Sequence, residues 1–486
     1  MDSSNTPSIK KNFVMNVVLT VSTFIFPLIS FRYVTNILST DGYGKVRFAT
    51  SVINYFSMFA QLGIPTYGIR ACAMVRDDRQ KLSETVYELL YINFLTCVIT
   101  YIALIISVFL IRRFYDDRIL FFIISAIIFF NAIGIEWMYK GLEQYTYITV
   151  RSIIFKVVAL IAMFLLVKQE SDYVMYGIVS ILASSGSNVM NFLNARRFID
   201  RTHVKHEWKK HLKPVLVFFA MAAATTIYTN LDAVMLGFIK TDSDVAFYDA
   251  AVKVKTILVG VVTSLGAVIL PRASYYIENK MWQEFKRISS KAIHFVLLVS
   301  LPLAVFFMIY ADRSIYLLSG EKYASSIVPM MILMPTLILI GITNILGIQI
   351  LVPLGKEKYV LYSVIGGAIT DLVLNAVLIP RLASIGAAIG TLAAEFVVLL
   401  LQIWFLKDRI AELFTAVNIS KILISLVLGT FAGLIVKLIH ASDFIALFVA
   451  AISFFGTYGI MLLVLKENMM EEIVRTVFSK LKKKSK

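Results

Sequence analysis

The 486-residue sequence is short of the residues that soluble folds rely on. It has two cysteines, Cys72 and Cys97, too few for a disulfide framework or a metal cluster. Both fall in or beside apolar segments, where packing is the expected role. Ten prolines and 23 glycines exclude collagen-like and low-complexity structure. Charged residues supply 16% of the chain, against about 25% in an ordinary soluble domain. There is no Walker A loop, no glycine-rich nucleotide loop, no Ser/His/Asp arrangement and no zinc-ligand spacing. The expectation is therefore a protein that is not an enzyme and that needs no cofactor or metal.

What the sequence has instead is apolar residues, 59% of the total, with a mean hydropathy of +0.80. They gather in fourteen blocks: 13–34, 46–69, 86–111, 119–139, 147–167, 173–193, 214–238, 245–270, 292–310, 327–352, 359–379, 383–406, 422–439 and 444–465. A hydrocarbon core about 30 Å thick needs ~20 helical residues, and each block meets or nearly meets that length. Backbone groups in lipid must be satisfied within the segment, so the blocks are expected to be helices. The first block is too long for a signal-peptide core and has no small-x-small site after it. The predicted fold class is an all-α integral membrane protein of about 14 transmembrane helices.

The net charge of +16 would suggest a nucleic-acid partner in a soluble protein. Here the charges lie between apolar blocks, and topology accounts for them. With the N-terminus inside, the alternate loops and tails on that side hold 31 of the 47 Lys and Arg, against 12 on the other side. This bias predicts a multi-pass protein of a bacterial or archaeal cytoplasmic membrane, with both termini cytoplasmic. The basic tail from Lys480 to Lys484 also suits anionic lipid.

The chain repeats itself faintly. Asp41-Gly-Tyr-Gly44, Leu62-Gly63, Arg70 and Glu84 recur as Ser243-Asp-Val-Ala246, Leu265-Gly266, Arg272 and Glu284, at offsets of 200 to 203. Six blocks separate the copies, so both have the same orientation. Such a parallel repeat predicts two lobes with the substrate at their interface. The expected divisions are an N-lobe (1–195), a basic cytoplasmic linker (196–213), a C-lobe (214–406), and an accessory helix pair with a basic tail (407–486).

Fourteen helices in two parallel halves resemble the polysaccharide transporter branch of the multidrug/oligosaccharidyl-lipid/polysaccharide exporters, which includes the O-antigen and capsule repeat-unit flippases. The residues that carry the resemblance are Asp41-Gly-Tyr-Gly44, Gln61-Leu-Gly-Ile64, Ala246-Phe-Tyr248 and the run from Leu265 to Pro271-Arg272. The resemblance implies a V-shaped pair of lobes and alternating access. It also implies a polyprenyl-diphosphate-linked oligosaccharide as cargo, with membrane lipids and the polysaccharide polymerase machinery as partners.

A charge at mid-bilayer costs about 3 kcal/mol on insertion scales, so each one asks for a reason. An anionic diphosphate would supply one for the cations. The substrate-binding candidates are Arg32, Arg47, Arg70, Arg151, Lys156, Lys253, Lys255 and Arg272. Against each stands a plainer role. Arg32 and Arg47 suit snorkelling anchors, Arg151 suits a pair with Glu136, and Lys253 suits a pair with Asp249 four residues before it. Arg70 and Arg272 suit topological charges at helix ends. Lys156 has no evident acidic partner. Pro27 is the candidate hinge of the first helix. Asp232, Asp249, Asp371 and Glu395 are candidates for proton or sodium coupling, or for mutual hydrogen bonds. Asn188, Asn191, Asn344 and Gln349 suit sugar hydroxyls or interhelical bonds. His203, His206 and His211 are expected in the joining loop, where neighbouring cations disfavour metal.

Three rivals to the oligosaccharide flippase are a peptidoglycan lipid-precursor flippase, a cation-coupled multidrug exporter, and a membrane polymerase or ligase of envelope glycans. The cationic segments argue against the second. The absence of a large outer loop argues against the third.

Overall fold

The computed structural model describes residues 9–200, 207–264, 266–408, 413, 418–437, 442–472 and 474. Among these residues there is no strand. The chain divides into two compact units, Met1–Ala246 and Phe247–Lys486.

Unit 1 holds α1 (Ile9–Ile37), α2 (Thr40–Gln61), α3 (Ile64–Met74), α4 (Arg79–Leu110), α5 (Arg112–Asp116), α6 (Arg118–Ile133), α7 (Glu136–Gly141), α8 (Tyr145–Leu166), α9 (Tyr173–Ile181), α10 (Ser187–Asn194) and α11 (Lys209–Ile239), and it ends in the first residues of α12 (Asp242–Thr263). Unit 2 continues with α13 (Gly266–Glu278), α14 (Trp282–Ile309), α15 (Ala311–Ser319), α16 (Ile327–Leu333), α17 (Thr336–Asn344), α18 (Glu357–Leu382), α19 (Ser384–Phe405), α20 (Ile419–Lys437) and α21 (Asp443–Val464).

Among the described residues, ten helices are long and apolar enough to cross a bilayer. The pair Glu321–Leu333 and Thr336–Leu351, bent by 46° at Pro335, adds an eleventh. The other three of the fourteen apolar blocks are helical but interrupted. The second breaks at Leu62 (φ 44°) and Gly63 (φ 75°) between α2 and α3. The sixth contains a π turn, Leu182–Gly186, between α9 and α10. The eighth passes from α12 to α13. Large apolar side chains such as Phe94, Ile102, Phe448 and Ile435 are exposed along these helices, a surface that fits hydrocarbon rather than water. The chain is a multi-pass helical membrane protein.

The repeat reappears in the element order. Helices α2 and α12 each have 22 residues, and both of their ends are displaced by 202 positions. Each is followed by a short helix and then by a long one, α4 or α14. Leu265, half of the second Leu-Gly pair, lies outside the described residues.

Within unit 1, α2 is the central element, in contact with α4, α6, α9 and α11. Ser39 caps it by accepting the Gly42 N–H at 3.0 Å. Small residues bring α2 and the end of α11 close together. A Cβ at Gly44 would collide with the Asp242 carbonyl, and one at Gly237 with the Phe48 ring. Polar groups line the rest of the seam. Thr40 bonds Ser243 at 2.9 Å, Asn54 donates to Asn230 at 3.3 Å, and Tyr55 donates to the Ile227 carbonyl at 3.2 Å. Arg113 of α5 pairs with Asp242 and lies over the Phe48 ring.

In unit 2, α20 and α21 form a hairpin tied to α14 and α15. Tyr310 donates to the Gly433 carbonyl at 2.6 Å, Arg313 pairs with Asp443 at 2.6 Å, and Tyr458 donates to the Leu298 carbonyl at 2.9 Å. Beyond α21 the chain turns back through the fully buried Glu467. Its carboxylate lies 2.8 Å from His294 Nε2 and accepts the N–H groups of Met469 and Met470 at 3.0 and 2.9 Å. Burial alone would push this carboxyl up; the hydrogen bonds outweigh it and hold the group below its usual value.

Two outcomes follow from this packing. Gly44→Ala or Gly237→Ala should overpack the seam, costing about 1–3 kcal/mol and lowering the apparent melting temperature in detergent. Gly456→Ala, whose Cβ would meet nothing within 4 Å, should leave it unchanged. For Glu467, a depressed folded value means that its stabilisation is complete above the ordinary carboxylate range of about 4.3. That stabilisation is lost as pH falls through the folded value. Melting followed from pH 6 to pH 3 should show this loss in the wild type and a smaller one in Glu467→Gln.

Candidate functional site

The buried Arg151 and the half-buried Lys156 lie on one stretch of α8. A left-handed Ile135 (φ 34°) ends the run from α6 and starts α7 at Glu136. Arg151, 5% exposed, donates through Nη2 to Glu136 Oε2 at 2.9 Å, and its guanidinium lies 5.7 Å from the Tyr147 ring centre. Lys140 takes the other Glu136 oxygen at 2.8 Å. The Nε and Nη1 groups of Arg151 are buried without acceptors. Further along α8, Lys156 donates to the neutral Ser22 Oγ of α1 at 2.9 Å. Two cations thus share one carboxylate and the third meets a hydroxyl, three positive charges against one negative. The expected Glu136–Arg151 pair is present, and it does not balance the segment.

A chain of amides lies beside these charges. Asn131 of α6 accepts from Ser185 and Asn188, each at 3.1 Å, and Asn191 donates to the Gly134 carbonyl at 2.6 Å. In this structure Asn188 and Asn191 serve as interhelical ties.

Unit 2 also carries buried carboxylates. Asp371 and Asn375, one turn apart on α18, are 1% and 0% exposed. They face Gly390 of α19, where a Cβ would collide with the Asn375 side chain. The next residue, Thr391, bonds the Tyr248 hydroxyl of α12 at 2.8 Å. Glu395 is buried one turn further along α19, and Asp249 is buried beside Tyr248. Helices α12, α18 and α19 therefore meet at a polar cluster. Gln349 is buried in the π turn Ile345–Leu351 and donates to Asn344 at 3.3 Å.

The remaining candidates lie on separate helices. Arg32 is exposed near the end of α1, and α1 continues as a helix through Pro27. Arg47 is half-buried on α2, as are Lys253 and Lys255 on α12. Arg70 and Arg272 are exposed on α3 and α13. Asp232 is buried on α11. His203 and His206 lie outside the described residues. His211 departs from expectation, because α11 begins at Lys209 and takes this histidine out of the loop. It lies 2.8 Å from the carboxylate of Glu88 and 2.8 Å from the Tyr67 hydroxyl. Glu88 was missed in the sequence, although a carboxylate inside an apolar block is the available signal.

The profile of the family described as Polysaccharide biosynthesis protein matches residues 9–277, more than half of the chain. The chain belongs to this family. A second profile, described as MatE, matches residues 218–377 of the transporter. Among curated relatives, a "Putative O-antigen transporter" of Escherichia coli (strain K12) is 22% identical over 84% of this chain and 99% of its own length. Its namesake in Shigella dysenteriae is 25% identical over 82% and 100%. The fold is that of two solved structures at 14% identity. One is titled "Lipid II flippase MurJ, inward closed conformation", with a TM-score of 0.70 over 93% of this chain and all of that one. The other is an inward-facing multidrug resistance MATE family transporter of the MOP superfamily, with a TM-score of 0.63 over 83% and 98%. The family and its relatives make this chain a polysaccharide flippase-type transporter, not an enzyme.

Glu136→Ala should leave Arg151 buried and uncompensated, a loss of about 3 kcal/mol. Adding Arg151→Met should recover most of it. Thermal unfolding of the single and double variants in detergent checks the pair.

Proposed function

We propose that this transporter carries a polyprenyl-diphosphate-linked oligosaccharide across the cytoplasmic membrane by alternating access, for surface polysaccharide biosynthesis. The observation that carries the reading is the uncompensated positive charge on α8, where Arg151 keeps two buried N–H donors without acceptors and Lys156 has only a hydroxyl. Buried donors of this kind seek an anion, and a diphosphate offers charge and several acceptor oxygens. Sugars would meet neutral amides and hydroxyls, which discriminate weakly among hydroxylated rings. The buried carboxylates Asp371 and Glu395, with Asp249 and Asp232, are the proposed groups for proton or sodium coupling. The charge bias supports cytoplasmic termini, and the polysaccharide polymerase machinery is a proposed partner. The likeness of fold to a lipid II flippase keeps a peptidoglycan precursor as the second reading.

The test is a leaflet assay in vesicles that hold a lipid diphosphate-linked oligosaccharide, following its accessibility to an external probe. A charge-assisted bond contributes about 1.5–3 kcal/mol, so Lys156→Ala should slow translocation by about 10- to 100-fold, and Lys156→Arg should restore much of it. Arg32→Ala and Lys255→Ala ask the same of the remaining candidates. Movement of lipid II in preference to oligosaccharide lipids would favour the second reading. Export of small cations with no lipid movement would refute both.

A further inference from the structure

We infer that Tyr67, Glu88 and His211 form a proton-exchange site at the root of α11. The inference goes beyond the transport reading and does not depend on the cargo.

The Glu88 carboxylate, on α4, is 1% exposed and takes three donors: His211 Nε2 at 2.8 Å, Lys210 Nζ at 2.9 Å and the backbone N–H of Glu207 at 3.1 Å. On the far side of the imidazole, the Tyr67 hydroxyl of α3 lies 2.8 Å from Nδ1. The ring is buried and the tyrosine half-buried. A hydroxyl both donates and accepts, and this is what suits the ring to two states. When the ring is neutral, Nε2–H donates to Glu88 and Nδ1 accepts the Tyr67 O–H. When it is cationic, both N–H groups donate, and Tyr67 accepts with its own proton turned toward water. One rotation of an O–H bond separates the two, and neither strands a buried group.

Burial of the ring and the nearby Lys210 oppose the added charge, and Glu88 favours it. Arg70 acts on the Tyr67 hydroxyl, and Glu207 stands 3.9 Å from the Lys210 ammonium. In the cationic form the bond to Glu88 becomes a charge-assisted one, so proton uptake tightens the hold of α3 and α4 on the start of α11.

His294 of unit 2 supplies the contrast. It faces a buried carboxylate at the same 2.8 Å, but its Nδ1 is buried without a partner. A second proton there would add a buried donor with nothing to receive it. The same acid–imidazole pair is completed by a hydroxyl in one unit and not in the other.

The test is a titration of the full-length protein in nanodiscs, with ¹⁵N-labelled histidine read by NMR and assigned through His211→Gln and His294→Gln. The His211 ring should pass between the singly and doubly protonated forms across the interval of about pH 5 to 8 in which imidazoles change charge. Tyr67→Phe removes the Nδ1 partner from both forms, and the charged form loses more because its bond is charge-assisted, so the His211 midpoint should move down by about one pH unit. A His211 ring that keeps one form throughout, or a midpoint indifferent to Tyr67→Phe, would each overturn the inference. Should Tyr67→Phe not fold, the His211 titration in the wild type decides alone.

Discussion

Hydrocarbon offers no hydrogen-bond partner, and the architecture of this transporter follows from that constraint. Every long apolar block closes its backbone bonds within itself as a helix. Each interruption of a helix must then find its partners inside the protein. The left-handed pair Leu62 and Gly63 is set against the backbone of α11 at Phe218 and Phe219. At the π turn Leu182–Gly186, the freed polar groups sit beside the Asn131 amide. The bend at Pro335 is covered by α19.

The same constraint governs the buried charges within each unit. In unit 1, Arg151 of α8 and Lys140 of α7 share the Glu136 carboxylate, and the buried Glu88 takes three donors of its own. In unit 2, Asp371, Asn375 and Glu395 are buried where α18 and α19 approach closely at Gly390.

Much of the fold was legible because the hydrophobic signal is long and one-dimensional. Fourteen apolar blocks all fall on helices, and the repeat seen in four short matches is recovered as two 22-residue helices displaced by 202 positions at both ends. The Glu136–Arg151 pair was legible from depth alone. Breaks within blocks were harder to read, because a π turn leaves no mark in hydropathy and Ile135 gives no warning of a left-handed backbone. The environment of Glu88 was illegible for another reason. Its partners Tyr67 and His211 come from segments 21 residues before and 123 residues after it, and only tertiary packing brings them together. The apolar pattern places residues along the membrane normal but does not tell which face of a helix turns inward.

The last hairpin has a consequence for how such chains can change length. Helices α20 and α21 look detachable, since the repeat is complete without them. Yet the carboxylate that satisfies His294, deep in α14, is Glu467, which comes after α21. A descendant that lost the hairpin would inherit an imidazole with both nitrogens buried and unmatched. Residue 294 and the chain beyond 465 are therefore bound to vary together, and a lineage that sheds the pair must first replace the histidine.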